Sequence, residues 1–160
     1  KEGLVLANSV CFNITLSCLK ELMVKFLLNE CRKEEVAEKY VQVLSIKTPS
    51  VSTPVSSLSG GNQQKVVLGK WLATRPRVFI LDEPTRGVDV GAKSEIYGII
   101  NQLAKDGIAI IMVSSDLPEI INMCDSVCVV RNGRIVTRLP KEKMTQENII
   151  KYATGVEEGQ

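Results

Sequence analysis

Two adjacent carboxylates, Asp82 and Glu83, follow an apolar run at residues 78–81 that predicts a β-strand. The carboxyl end of such a strand is where α/β sheets keep their ligand crevices. There Asp82 could hold Mg²⁺, directly or through water, and Glu83 could orient and deprotonate a water for in-line attack on a phosphate. The alternative interpretation is that both residues are solvated turn residues or helix caps.

A second candidate segment lies at residues 58–65, LSGGNQQK, immediately before and within a predicted helix. A helix N-terminus presents unpaired N–H groups and a positive dipole end, for which phosphate is a natural ligand. Gly60 and Gly61 lack a β-carbon and let the backbone approach a phosphate closely, while Ser59 can add its own donor. The alternative is a helix cap after a flexible turn.

Apolar periodicity predicts the elements that position these segments. Helices are expected at about Arg32–Ser45, at Gly61–Thr74 with Ser59 placed to cap it, around Ile96–Leu103 with Gly107 ending it, and after a Thr145 cap. Strands are expected at Val78–Leu81 and Ile108–Val113, followed by a hairpin that turns at Asn132-Gly133.

The order strand, helix, strand with continuously apolar strands predicts an α/β architecture. Its strands should pair in parallel, with cover on both faces and a right-handed crossover. Residues 48–57 are rich in Ser, Thr and Pro, which favour turns. We therefore divide the chain into a helical region at about residues 9–57 and a core at about 58–160.

Composition restricts the class of protein. The 160 residues suit a single domain or part of one, and the net charge of +2 arises from 20 basic and 18 acidic residues without a clustered basic patch. No apolar run reaches the roughly 20 residues that span a bilayer, and no signal-peptide pattern is present, so any membrane role is expected to be peripheral.

The five cysteines have spacings unlike a zinc or redox motif, and no histidine is present to complete a metal site. We predict reduced core thiols in a cytosolic protein. Trp71, Cys124 and Cys128 have apolar neighbours and are likewise predicted to be core residues.

Taken together, the two motifs resemble the ATP-binding cassette (ABC) family, whose signature sequence and Walker B strand follow each other at this spacing. The resemblance covers nearly the whole chain and implies a P-loop NTPase fold: a mostly parallel sheet, a helical subdomain and a C-terminal hairpin. Residues 60–65, 82–93 and 113–119 look like the second cassette of the double-cassette subunits that drive bacterial sugar importers.

The resemblance implies a role for each matching residue. The signature residues Ser59, Gly60, Gly61 and Asn62 would face the ATP of a partner cassette. Asp82 would hold Mg²⁺ through water, while Glu83 and Ser115 would be catalytic. Asp89 falls where the family has its D-loop aspartate, which links the two nucleotide sites across a dimer.

The implied cofactors are ATP and Mg²⁺, and the implied partners are a second cassette and a transmembrane permease, without nucleic acid. The complete subunit would be an ATPase at the cytoplasmic face of the membrane. Two other hypotheses remain: a soluble cassette ATPase of DNA repair or translation, and a non-catalytic interaction module that docks onto another protein's bound nucleotide.

The chain departs from the family pattern in two respects. The Walker A pattern G-x-x-x-x-G-K-[ST] and the loop that senses the γ-phosphate are absent from it. Ser115 aligns with the switch histidine of most cassettes, and a serine cannot carry imidazolium charge. We therefore expect the isolated chain neither to bind nor to hydrolyse ATP. We also expect its sheet to have unpaired apolar edges that favour self-association.

Overall fold

The computed structural model describes residues 3–24 and 27–155, which form six helices and six strands in two compact units. The helices are α1 (Val10–Thr15), α2 (Glu30–Val43), α3 (Gly60–Leu72), α4 (Val90–Lys105), α5 (Leu117–Met123) and α6 (Gln146–Thr154). The strands are β1 (Met23–Val24), β2 (Leu27–Leu28), β3 (Val78–Asp82), β4 (Ala109–Val113), β5 (Ser126–Arg131) and β6 (Arg134–Pro140).

The first unit comprises the chain up to Phe79 together with Pro84–Ile110, and its core lies among helices α1 to α4. The largest fully buried apolar side chains in this unit are Val10, Ile14, Leu44, Val55, Val66, Leu68 and Ile96. Helix α2 begins two residues earlier than predicted, because the Asn29 side chain accepts the N–H of Arg32 and caps it.

The second unit comprises Ile80–Glu83 and the chain from Ile111 onward. Its core consists of Ile120 from α5, Val129 and Leu139 from the hairpin β5–β6, Met144 from the segment between β6 and α6, and Ile149 from α6. The predicted antiparallel hairpin is confirmed, and its turn residues Asn132 and Gly133 have φ angles of 51° and 73°. The predicted Thr145 cap of α6 is also confirmed.

Strands β3 and β4 are hydrogen-bonded neighbours. At one end the Ala109 N–H donates to the Arg77 carbonyl at 3.0 Å, and at the other the Glu83 N–H donates to the Val113 carbonyl at 2.8 Å. From the first bond to the second, the residue numbers rise along both strands. The two strands therefore run in the same direction and form a parallel pair, as predicted.

The prediction that this sheet is covered on both faces is wrong for this chain. Side chains alternate along a strand. Phe79 and Leu81 are buried, whereas Val78 and Ile80 on the opposite face are 50% and 66% exposed. One apolar face of β3 is therefore open.

Three of the predicted core assignments also fail. Trp71 is 48% exposed on α3, with the Lys70 Nζ 5.4 Å from its ring centre, and Cys31 and Cys128 are exposed. Trp71 projects outward because the buried side of α3 is centred on Gly61, Lys65, Leu68 and Leu72 instead. Cys11 and Cys18 are buried as predicted, and burial raises the pKa of both thiols.

The sequence patterns did not predict α1, the short β1–β2 hairpin or α5. In the part of the chain that the structure describes, no helix is long and apolar enough to cross a membrane. The predicted division at residue 57 stays a prediction, because the two compact units are defined by contacts within the structure and each combines separate segments of the chain.

Candidate functional site

The signature segment enters α3 through two exposed residues and one buried residue. Ser59 and Gly60 are exposed, and Gly61 is buried in the first turn of this 13-residue helix. Ser59 occupies the N-cap position, as predicted, but its side chain makes no capping bond to the helix. Its hydroxyl instead accepts a hydrogen bond from Asn62 Nδ2 at 2.9 Å.

Two amide side chains of α3 fix the loops that precede the helix. Asn62 Oδ1 accepts the Lys47 N–H at 2.8 Å. Gln63 Nε2 donates to the carbonyls of Val55 and Leu58, both at 3.1 Å. The loops that lead to Ser59 are therefore fixed by hydrogen bonds to side chains of α3.

The two signature glycines differ in their surroundings. A β-carbon at Gly60 would have no heavy atom within 4 Å. A β-carbon at Gly61 would lie 2.5 Å from Cβ of Ala92 and 3.9 Å from Cγ1 of Val88. Gly61 is thus required for the close approach of α3 to the start of α4, whereas Gly60 faces open space.

An ion pair between the buried Lys65 and the half-exposed Glu95 joins the same two helices. Lys65 is 2% exposed, and its Nζ donates to Glu95 Oε2 at 2.7 Å and to the Ser45 carbonyl at 2.9 Å. Lys47 lies on the solvent side, with its Nζ 3.7 Å from Glu95 Oε1. The hydrogen bond and the positive charge of Lys65, with that of Lys47, lower the pKa of the Glu95 carboxyl.

Asp89 lies at the beginning of α4, next to the signature glycine contact. Its Oδ1 accepts the N–H of Ala92 at 2.9 Å and caps the helix. Ala92 is the residue on which Gly61 packs. The structure therefore brings the predicted D-loop aspartate and the signature segment together within the first unit.

Glu83 has an unusual backbone at the end of β3. Its φ is 47°, in the left-handed region that few residues other than glycine adopt. Two hydrogen bonds hold it there: its N–H donates to the Val113 carbonyl at 2.8 Å, and its Oε1 accepts the Ser115 N–H at 2.8 Å. Such strain is typical of functional sites in which surrounding contacts fix the conformation.

The loop that carries Ser115 is fixed on its helical side. Ser115 is exposed, and the Ser114 hydroxyl accepts the Asp116 N–H at 3.0 Å. Asp116 in turn occupies the N-cap position of α5. Glu83 and Ser115 are thus brought together in the second unit, as residues on the ends of adjacent parallel strands should be.

Asp82, the predicted Mg²⁺ ligand, is exposed at the end of β3. Among the described residues, no three Cys, Asp or Glu side chains are grouped as a metal cage. A single open carboxylate still fits Mg²⁺, which keeps several waters and takes one or two carboxylates besides phosphate oxygens.

The sequence patterns missed four residues that hold the signature segment: Gln63, Lys65, Ala92 and Glu95. For Lys65 a signal was present, because it stands four residues after Gly61 and three before Leu68, on the face that is buried. A lysine at that position requires a partner, and Glu95 provides it.

Comparison with known proteins adds independent findings. The profile of the ABC transporter family matches residues 4–86. The chain is 55% identical over 155 residues to the xylose import ATP-binding protein of Moorella thermoacetica, covering 97% of this chain and 31% of that protein. It is 51% identical over 154 residues to the ribose import ATP-binding protein of Bacillus subtilis, covering 96% and 31%.

The chain thus spans about a third of the length of the curated relatives that it matches. Among solved structures, it is similar to the dimeric post-hydrolysis state of the ATP-binding cassette MJ0796 bound to ADP and Pi, with a TM-score of 0.73 at 18% identity. That similarity covers 86% of this chain and 59% of the other, and it shows a shared fold.

Proposed function

Because the chain belongs to the ABC transporter family, we propose that it is part of an ATP-hydrolysing cassette that energises sugar import. The observation that carries this proposal is the anchored Glu83 carboxylate, held by the Ser115 N–H at the end of β3. The names of the relatives, which include xylose, ribose and galactose, support pentoses and hexoses as the cargo class.

The signature segment would contact the ATP of a partner cassette. Ser59 and Gly60 are exposed at the positive end of α3, and Gly60 leaves open space for a phosphate to approach the backbone. Asn62 would act by fixing the Ser59 hydroxyl. Asp89 would stand at the dimer contact, next to the signature segment.

The second group would serve the ATP held by the Walker A loop of the complete cassette. Glu83 would orient an attacking water and accept its proton, while Asp82 would hold Mg²⁺, which neutralises phosphate charge when bound. Ser115 would replace the switch histidine of most cassettes. The site therefore depends on Glu83 without help from an imidazolium.

The complete subunit would be peripheral to the membrane on its cytoplasmic side and would contact a permease. Residues 9–57 are proposed as the helical region that makes this contact, and residues 58–160 as the catalytic core. The relatives are import ATP-binding proteins by name, and dimeric cassettes of this fold exist. Both facts support a second cassette and a permease as partners.

The proposal predicts that the chain alone is inactive. Calorimetric titration with ATP and Mg²⁺ should show no binding tighter than about millimolar, a free energy of roughly −4 kcal/mol. Micromolar binding would mean that these residues form a complete phosphate site by themselves, and it would contradict the proposed division of the site.

The function itself is tested in a hybrid in which this chain replaces the matching part of the Bacillus subtilis ribose import ATP-binding protein. The hybrid should support ATP-dependent ribose uptake. Glu83→Gln should lower turnover by about a hundredfold or more, because it removes the general base. The matched control is Glu142→Gln, an exposed carboxylate outside the site.

The loss in Glu83→Gln should be confined to one of the two composite sites. Equal loss at both sites would contradict the assignment of Glu83 to a single site. A hybrid that folds and binds a partner's nucleotide without turnover would instead favour the interaction-module hypothesis.

The open face of the sheet also supports self-association of the isolated chain. In the second unit Ile80, Ile111 and Val113 are all more than half exposed. Apolar side chains grouped in this way favour contact with another protein surface. Light scattering over a range of concentrations should show oligomers, and a clean monomer throughout would contradict this part of the proposal.

A further inference from the structure

The contact between Glu83 and Ser115 is made by the main chain of Ser115. Its N–H donates to Glu83 Oε1 at 2.8 Å. Within residues 3–24 and 27–155, the Ser115 hydroxyl makes no hydrogen bond of its own, and the residue is exposed. The group that reaches the carboxylate is therefore one that any residue except proline carries.

The position of that N–H is fixed from both sides. On one side β4 ends at Val113, whose carbonyl accepts the Glu83 N–H at 2.8 Å. On the other side the Ser114 hydroxyl accepts the Asp116 N–H at 3.0 Å, and Asp116 caps α5. The strand end and the helix start thus hold the Ser115 amide where the Glu83 side chain meets it.

Glu83 needs such support because its own backbone does not favour its position. With a φ of 47°, the backbone of Glu83 is strained. The following residue is Pro84, and a proline ordinarily keeps the residue before it extended. One carboxylate oxygen is engaged by the Ser115 N–H, and Oε2 makes no hydrogen bond to the described residues. The arrangement fixes Oε1 of Glu83 and leaves Oε2 available to accept a proton from water.

We propose that Ser115 is a positioning residue whose main-chain N–H, rather than its hydroxyl, aims the Glu83 carboxylate. A hydrogen bond from a neutral N–H to a carboxylate is charge-assisted and therefore stronger than one to a neutral acceptor. This inference rests on the proposed function for its consequence in turnover. It explains how the base stays oriented in a cassette that has serine at the switch position.

The first test reads the hydrogen bond directly, in the isolated chain and without ATP. In the NMR spectrum of the ¹⁵N-labelled chain, Glu83→Gln should shift the Ser115 amide proton upfield, because a neutral acceptor is weaker than a carboxylate. Asp82→Asn is the matched control, since the neighbouring carboxylate makes no bond to Ser115, and it should leave that proton in place.

In Ser115→Ala the amide proton of residue 115 should keep its downfield position, and combining Ser115→Ala with Glu83→Gln should still shift it upfield. An amide proton that does not respond to Glu83→Gln overturns the proposal. So does a wild-type shift that is lost in Ser115→Ala, because the hydroxyl would then be required for the contact.

The second test measures turnover in the ribose import hybrid. Ser115→Pro removes the N–H and should lower kcat by about a hundredfold, as loss of a correctly placed base would. Ser115→Ala keeps the N–H and should retain more turnover than Ser115→Pro. Equal losses in the two variants, with both folded, overturn the proposal.

The amide shift does not depend on ATP turnover, so failure of the proposed function and failure of this inference are distinguishable. If Ser115→Pro does not fold, the amide shift still decides the question. An inactive hybrid with the expected amide shifts would refute the proposed function and leave the positioning contact intact.

Discussion

The two groups of candidate residues are held in place by different physical means. In the first unit, Gly61 packs on Ala92, and the buried Lys65 pairs with Glu95, so contacts between two long helices fix the signature segment. In the second unit, Glu83 is strained and is held by two hydrogen bonds near solvent.

The signature segment is therefore fixed by tight packing, whereas Glu83 is held in a strained backbone conformation by hydrogen bonds. A close helix–helix contact admits no extra atom and resists change through packing. A strained residue at a strand end keeps its position only while its hydrogen bonds persist. We expect substitutions in the two groups to act with different signs and sizes.

The largest effect should come from the helix–helix contact. Gly61→Ala places a methyl group against Ala92 and should lower the free energy of unfolding by about 1–3 kcal/mol, as overpacking of a close contact does. Urea denaturation of the isolated chain measures it. The matched control is Gly60→Ala, which meets no atom and should stay within about 0.5 kcal/mol of the parent.

The cause of that loss can be checked by a double-mutant cycle. Adding Ala92→Gly to Gly61→Ala removes the obstructing methyl group and should recover part of the stability. If the double variant is no more stable than the sum of the single losses predicts, the Ala92 contact is not what makes Gly61 necessary.

The strained residue should show a smaller effect of unusual sign. Glu83→Gly and Glu83→Ala both lose the hydrogen bond to Ser115, so their difference isolates the backbone. Because φ is positive, the glycine variant should be more stable by about 1 kcal/mol. Urea denaturation compares the two, and an alanine variant of equal or greater stability would show that the backbone at Glu83 is unstrained.

The smallest effect should be the pH dependence contributed by Glu95. Its folded pKa lies below the ordinary 4.5, so the ionised form stabilises the fold above that value. The contribution is lost as the pH falls from 4.5 through the lowered folded pKa. It should be small and sensitive to salt, because the Glu95 side chain is half exposed.

Urea denaturation at a series of pH values, with Glu95→Gln as the reference, measures this contribution. The parent should be more stable than the variant at neutral pH, and the difference should shrink in acid. A difference that stays constant into acid would mean that the charge of Glu95 contributes nothing to the pair.

Much of the fold follows from local patterns. The helix α4 ends before Gly107, which has a φ of 90°, and the hairpin turns at Asn132-Gly133, whose φ angles are positive. Both sites use residues that tolerate the left-handed region, and they flank strongly apolar runs. Local chemistry and tertiary structure agree at these positions, so the sequence predicts them.

The features that the sequence did not predict also have physical causes. The apolar residues of α3 place Trp71 on the predicted inner face, but in the structure Gly61 and Lys65 lie on the buried side of the helix and Trp71 is 48% exposed. The link from Ser115 to Glu83 is made by a backbone group, which has no residue-type signature. The positive φ of Glu83 opposes the preference of its side chain and of Pro84.

The unequal surroundings of Gly60 and Gly61 have an evolutionary consequence. Selection acts on Gly61 through folding, because any side chain there meets Ala92. It acts on Gly60 only through what the open space receives. Under the proposed function, a lineage that stopped using nucleotide would be free to replace Gly60 while still retaining Gly61. The history of the activity would then be recorded in the first glycine and that of the fold in the second.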